Sequence, residues 1–484
     1  VSVLSIGGAG LSAFAGADGI GLNLSSVNFG LYLASDVATP EQNWLGLRAT
    51  VGSVAFVGVE GLELSSSDLE VEITQASANG SLIDFARSGV TVATGADGTT
   101  APSLLSLTMR ALQGELLRVV GTLDLDLFGF VQLSGAFALN KSLGKIRVSD
   151  GTTATDTDVE LLTLGGANLS AFAGVNGDDP TNRMGLNLSG VELAVVIANE
   201  TGGPGVFTTV EASAEQASFV GIDDVTIAMR NIAVLVNRSS DGDVDPSNDR
   251  YADYGNVPDG SDTLTLVETG PTTDYMLSAM GDSGEQTVVS GSLELDVLGY
   301  VQLSGNGAFE MRETQLVRSG EATPVDVEVL TLGLSEVNAF AGLDGGTDAA
   351  MGFALAGGEL AIALIGEVAD PAQRYFTLQG TAESAGLIGF DPDTVDGDLD
   401  VMYVNINLAA VNGKVIDYAA RALTIATGGA SDWTFDFAGV DGEELRVGGQ
   451  MNLDIAGFAR VTGSLYMEKK TAELSVYESS ANTL

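Results

Sequence analysis

The chain has 484 residues, with 65 acids against 20 bases for a net charge of −45, and it contains neither histidine nor cysteine. That surface disfavours nucleic-acid and anionic-membrane partners, attracts divalent cations and stays soluble in salt. The missing side chains remove Ser–His–Asp triads, imidazole bases, thiolate nucleophiles, disulfides and nearly all zinc, copper and haem sites. A hydrophobic content of 45% supports a large core and argues against global disorder.

Taken in chain order, the first element is VSVLSIGGAGLSAFAG (1–16), and it returns as VELLTLGGANLSAFAG (159–174) and VEVLTLGLSEVNAFAG (327–342). The GADG, GVNG and GLDG that close it put Asp18, Asn176 and Asp344 in Asx-Gly pairs, the signature of a tight turn. GLNLSSVNFGLYL (21–33) follows and recurs at 185–197 and 352–364. A shorter match comes next, AFVG at 55–58, SFVG at 218–221 and LIG at 387–389. Each copy ends on GTLDLDLFGFVQLSG (121–135), GSLELDVLGYVQLSG (291–305) or GQMNLDIAGFARVTG (449–463). Matches of this length in the same order define three repeats, 1–158, 159–326 and 327–484. The last copy stops where another VxVLxLG segment would start, and joining Leu484 to Val1 restores the internal spacing. The expectation is a fragment or processed product, one period of a longer array. No leader peptide pattern opens it, and the best apolar run, 350–366, is short for a membrane span and carries Glu359.

The elements read as strands. Leu123, Leu125, Leu127, Val131, Leu133, Phe137 and Leu139 alternate at period two, with Gly129 and Gly135 in phase. The recurring Gly129, Gly299 and Gly457 predict a bulge or corner within that strand. The 63 glycines and 10 prolines suit many tight bends. Short helices are expected only around 81–90 or 415–425. Eight to ten strand-like segments per repeat, about 17–20 residues apart, fit rungs of an elongated β-solenoid or β-superhelical stack. Three tandem β-sandwich domains are the alternative.

Two acidic loops are candidates for Ca²⁺, because hard carboxylates at alternate positions of a turning loop suit that ion. One carries Asp241, Asp243, Asp245 and Asp249; the other carries Asp391, Asp393, Asp396, Asp398 and Asp400. Neither recurs in all copies, and a solvated acidic loop explains both equally simply. One acid does recur in the closing motif, Asp126, Asp296 and Asp454, preceded two residues earlier by Asp124, Glu294 and Asn452. Such a pair on one strand face suits glycoside chemistry, but period-two acids also describe a solvent-facing strand. Phe14, Phe172 and Phe340, and Phe130, Tyr300 and Phe458, recur as core or stacking residues. NLS, NET and NRS (23–25, 199–201, 237–239) fit the N-glycan acceptor pattern. No phosphate-binding loop, dinucleotide fingerprint or nucleophile elbow stands in a supporting context.

Through VELLTLGGANLSAFAG, ASFVGIDDVTIAM (217–229) and GTLDLDLFGFVQLSGAFALNK (121–141), the chain resembles the giant acidic tandem-repeat exoproteins of bacteria, the adhesin-like and surface-filament proteins. Such proteins often lack cysteine. The resemblance implies secretion, a cell-surface or matrix location, and a scaffolding or adhesive role, often with Ca²⁺. The expected function is therefore structural and not enzymatic: a rod or filament outside the cell, with further copies of itself end to end as partners and cell-surface or matrix components as others. A lipid-handling β-groove and a polysaccharide-active β-helix enzyme are the other two classes carried forward.

Overall fold

The computed structural model describes the chain apart from residues 18, 61, 96–100, 180, 223–224, 241–248, 259 and 471–484. Among the described residues, 25 strands accompany a single four-residue α-helix, and no helix is long and apolar enough to cross a membrane. The chain forms two compact units, Val1–Gly291 and Ser292–Leu484.

In the first unit, β1 (Ser2–Ala17), β2 (Ile20–Ser35), β3 (Asn43–Val57) and β4 (Leu62–Gln75) run antiparallel to one another in chain order. The chain then leaves the sheet over residues 76–116, which hold α1 (Phe85–Ser88) and the small hairpin of β5 (Thr91–Thr94) and β6 (Ser103–Ser106). It returns as β7 (Leu117–Leu127), which pairs with β4, and β8 (Val131–Ser149). The second copy starts in β9 (Ala154–Val175), which pairs with β8, and continues through β10 (Met184–Glu200), β11 (Val206–Val220) and β12 (Val225–Ser240). Its own excursion includes β13 (Tyr251–Ala252), β14 (Leu266–Gly270) and β15 (Thr273–Met276), before β16 (Gln286–Val297).

In the second unit, β17 (Val301–Leu316) pairs with β18 (Val325–Leu343), which opens the third copy. The series continues through β19 (Met351–Glu367), β20 (Arg374–Ile388) and β21 (Val395–Leu408). The excursion carries β22 (Thr424–Ile425) and β23 (Trp433–Thr434), and β24 (Glu444–Ile455) and β25 (Ala459–Lys470) close the copy. Each repeat is thus six long strands and one excursion. The repeat edges at 158/159 and 326/327 fall inside β9 and β18. All described pairings are antiparallel, and counting the short strands of the excursions the copies hold eight, nine and eight described strands, within the eight to ten segments expected.

Within each unit, bulges recur at matching levels of the strands. Gly10, Asn168 and Glu336 sit at φ 64°, 49° and 53° where the registers of β1, β9 and β18 slip. Ser26, Gly190 and Gly357 do the same in the next strand of each copy, and Asp68, Asn231 and Val401 in the fourth. An extra residue in the left-handed region bends a strand and tightens its twist. The bulges divide these strands into a half covered by the excursion and a half ending in the hairpin tips.

The cores lie under the excursions, which act as caps. In the first copy Phe85, Val92, Leu107, Met109 and Leu116 form the buried cluster, with Tyr32 and Ile83 against it. The second is built on Ile146, Val148, Val196, Phe207, Tyr254 and Val267, the third on Val327, Ile365, Tyr375, Tyr418, Ile425 and Phe435. The caps share one construction. Phe85, Tyr254 and Tyr418 are each followed by an amide that donates across the cap: Ala86 to Met109 O, Gly255 to Ala279 O, and Ala419 to Phe437 O. Each cap ends in a one-turn 3-10 helix closed by Gly114, Gly284 or Gly442, at φ 69°, 74° and 67°. Of the two helices expected from sequence, the first is one turn long, and 415–425 folds as turns and the short strand β22. Both segments are cap openings; the first keeps one helical turn, capped by Asp84, which accepts the Arg87 amide at 2.8 Å.

Polar side chains fasten the caps. Glu211 is buried on β11 and accepts from the amides of Ser278 at 2.7 Å and Ala279 at 2.8 Å. At the matching places Arg48 donates to Ser106 O at 3.1 Å, and Gln379 donates to Asp436 at 2.6 Å. Buried Asn237 and Asn407 donate to cap carbonyls of Ala252 and Ile416. In the third copy the Tyr418 hydroxyl lies 2.6 Å from Thr377 Oγ1. In the first copy both partners are absent together: Phe85 stands for the tyrosine, and Gly46 lies under its ring, where a Cβ would come within 2.3 Å of the ring tip. Deleting both members of a buried polar pair avoids stranding either one.

These buried phenols give a pH expectation. Burial, then the hydrogen bond to Glu367 at 2.5 Å, pushes Tyr375 up to about 12. Burial also raises Tyr254 and Tyr418. A tyrosine with a raised folded pKa keeps its proton after the unfolded chain, at about 10, has lost its own. Its contribution is complete below about pH 10 and disappears as pH rises through the folded value. Tyrosinate absorbance and β circular dichroism are therefore expected to change together above that pH. Smooth ionisation with no change in circular dichroism would contradict this.

Candidate functional site

The closing motif is the most regular polar feature. Its glycine is not a mid-strand bend. Phe128 and Gly129 sit at φ 57° and 66°, and Phe130 N donates to Leu127 O at 2.9 Å, which makes a tight hairpin with a three-residue loop, 128–130, between β7 and β8. Leu298–Gly299 and Ala456–Gly457 repeat it. The strand pattern predicted through this point is nevertheless in phase, because a three-residue loop pairs odd positions with odd: Leu125 faces Leu133 and Leu127 faces Val131. Parity alone cannot distinguish one strand from such a hairpin.

The recurring aspartate holds the turn. Asp126, Asp296 and Asp454 accept the amides of Gly129, Gly299 and Gly457 at 2.7, 2.8 and 2.8 Å. The second oxygen accepts from Gln132 Nε2 or Gln302 Nε2 at 2.6 Å, and from Arg460 Nε at 2.8 Å. Donation by Gln132 and then by the Gly129 amide keeps Asp126 below the usual carboxylate range; Arg460, then the Gly457 amide, does so for Asp454. A carboxylate fixed by two donors in this way is a clamp.

Beside each internal hairpin is a cleft. In the first unit it has a volume of about 280 Å³ and is lined by Glu63, Asp124, Asp126, Gln132, Phe172 and Arg183 among others. In the second unit the matching cleft, about 450 Å³, is lined by Glu294, Asp296, Gln302, Asn338, Phe340 and Thr347. Gln132 also donates to Asp178 at 3.0 Å, and the Asp126 carboxylate pushes Asp178 up, first through their hydrogen bond and then through its charge. Arg183 covers the Phe172 ring at 5.4 Å. A second concavity, about 720 Å³, lies in the second unit on the uncapped side of the bulges. It is overwhelmingly apolar, with Leu334, Val337, Leu355, Leu360, Met402 and Tyr403 on its walls.

Of the predicted calcium ligands, Asp241, Asp243 and Asp245 lie outside the described residues. Asp249 accepts the Tyr251 hydroxyl at 3.3 Å. Asp391 shapes a turn by accepting the Asp393 amide at 3.0 Å. Asp396, Asp398 and Asp400 are on β21, facing Asp454, Asn452 and Gln450 of β24. They are strand residues, so the second acidic run is only partly a loop. Among the described residues no group of three or more Asp or Glu is gathered to hold a metal. Asn176 and Asp344 adopt φ 57° and 54°, the conformation their tight turns require, while Asp18 lies outside the described residues. Phe172 and Phe340 are buried, but Phe14 is 49% exposed, and Phe130, Tyr300 and Phe458 stand out from the hairpin tips.

Sequence reading missed the caps. IDFA, ADYG and IDYA (83–86, 252–255, 416–419) recur, as do ALQG, GDSG and GVDG (111–114, 281–284, 439–442), but these matches are short and their spacing varies. Gln132 and Gln302 also went unassigned, because a glutamine on a strand carries no turn signal by itself.

The fold and these sites define an all-β tandem-repeat protein whose repeats join edge to edge by strand pairing. No protein-family model matches the chain, and no curated protein matches it.

Proposed function

We propose that this is a structural or adhesive extracellular repeat protein, a rod or filament component at the cell surface or in the matrix, with its copies continuing as a β-superhelical stack. One observation supports this reading above the others. Two acids common to all three copies hold backbone: Asp126, Asp296 and Asp454 clamp the hairpin turns, and Asp84, Asp253 and Asp417 accept amides in the caps, while the other recurrent positions supply bulges, turns and packing. The acidic exterior keeps such an array soluble, and Ca²⁺ bound by the two acidic runs belongs to the same reading. Immunogold labelling of intact source cells is expected to place the chain on or outside the envelope, with calcium chelation loosening it. Label confined to the cell interior would overturn the proposal.

The apolar concavity of the second unit favours one further reading, a lipid-handling groove. Organic extraction of the purified chain followed by mass spectrometry is expected to yield an acyl lipid in stoichiometric amount on that reading. A lipid-free extract, together with no uptake of a fluorescent fatty acid, would remove it.

A further inference from the structure

The two internal junctions are built alike. In the first unit the tip of the β7–β8 hairpin reaches the turn after β9: Gly174 N donates to Phe130 O at 2.9 Å, and Gly177 N donates to Gly129 O at 2.8 Å. Below the tip, Gln132 faces Phe172, Leu133 faces Ala171, and Ser134 faces Ser170, whose hydroxyls are 2.7 Å apart. In the second unit Gly342 N donates to Tyr300 O, and Gly345 N to Gly299 O, both at 2.9 Å, while Ser304 faces Asn338. The phenylalanine of AFAG is what each junction covers: Phe172 is 3% exposed and Phe340 8%.

The same two half-sites occur unjoined. Among the described residues, β1 pairs only with β2, and β25 only with β24. On β1, Gly16 and Gly19 occupy the donor positions of Gly174 and Gly177, and Phe14 occupies that of Phe172, yet it is 49% exposed. Val3, at the place of the 5%-exposed Leu161, is 45% exposed. On β25, Gly457 and Phe458 hold the acceptor positions in a hairpin of the same φ values and the same aspartate clamp, and residues 459–467 are exposed throughout. An open strand edge with a matching acceptor is a template for pairing.

We infer that β25 of one copy of this chain pairs with β1 of a second copy, in the register of the internal junctions. Phe458 O accepts from Gly16 N, Gly457 O accepts from Gly19 N, Thr462 faces Ser12, and Phe14 is the buried anchor. The contact is head-to-tail, joining two different surfaces, so each copy can take part in two of them. Like charge on both copies opposes it, and screening by salt strengthens it. The inference rests on the architectural reading of the repeat.

The absence of cysteine makes the test clean. Ser12→Cys and Thr462→Cys chains are prepared separately, mixed in high salt and mildly oxidised. Ser134→Cys with Ser170→Cys in one chain is the control for the internal junction. The expected result is a disulfide-linked pair in the mixture and in neither variant alone, with the yield lowered about tenfold or more by Phe14→Ser, the effect of removing one buried anchor. No linked pair in the mixture, or equal linking within single-variant samples, would overturn the inference while a closed control leaves the repeat architecture standing. An open control would instead sink the architecture on which it rests.

Discussion

Phe85→Ala is expected to lower the stability of the first cap by about 3–5 kcal/mol, the range for emptying a fully buried phenylalanine site. The ring is 1% exposed and packs edge-on against Tyr32 with centroids 5.8 Å apart. It also fills the space over Gly46, which has no side chain to move into the gap. Both features limit collapse around the cavity, which places the cost high in that range. Phe14→Ala, at an exposed site, is expected to cost well under 1 kcal/mol in the isolated chain. Denaturant unfolding of the two variants side by side checks this; equal losses would show that the cap is not seated as described.

Gly165→Val is expected to displace the second cap, at a cost at or above the top of the usual 1–3 kcal/mol, roughly, for overpacking. A Cβ at Gly165 would lie 2.1 Å from the carbonyl oxygen of Glu268. That oxygen belongs to backbone, so no rotamer change relieves the clash; β14 itself has to lift. Lifting β14 withdraws Val267 from the core and pulls Glu268 away from Arg118, whose Nε is 2.8 Å from its carboxylate. Gly7 and Gly333 have the same 2.1 Å approach, to Ala93 O and Ala426 O, so each copy needs glycine here for the same reason. Gly366→Ala, on the open side of β19 with nothing within 4 Å, is expected to be nearly neutral. Amide exchange should be fast across residues 264–279 in Gly165→Val and unchanged in Gly366→Ala. Native protection there in the valine variant would contradict the packing.

Much of the strand content was legible in sequence, because period-two alternation reports a half-buried strand whatever its neighbours are. The order of the three copies was legible too, since their longest matches lie on the long strands. The hairpin inside the closing motif was not. Its Phe128 and Leu298 stand at φ 57° and 55°, where Asn or Gly is the usual sign, and its loop length keeps the alternation in phase. The caps were hidden for a different reason. Their residues have neither helical nor strand periodicity, and what holds them is remote: Glu211 from β11, Asn237 from β12, and a glycine of the first strand beneath. The turn-clamping role of Asp126 was hidden likewise, because a solvent-facing strand acid and a clamped one look identical until the Gly129 amide and Gln132 are placed beside it.

The central claim is that one six-strand repeat is joined to the next by antiparallel pairing of its last strand with the following first strand. A density map that resolves individual strands tests this most directly. It is predicted to show β8 hydrogen-bonded antiparallel to β9 with Ser134 opposite Ser170, and β17 to β18 with Ser304 opposite Asn338. Parallel rungs stacked on one another, or separate sandwiches with no strand pairing at those two junctions, would contradict it.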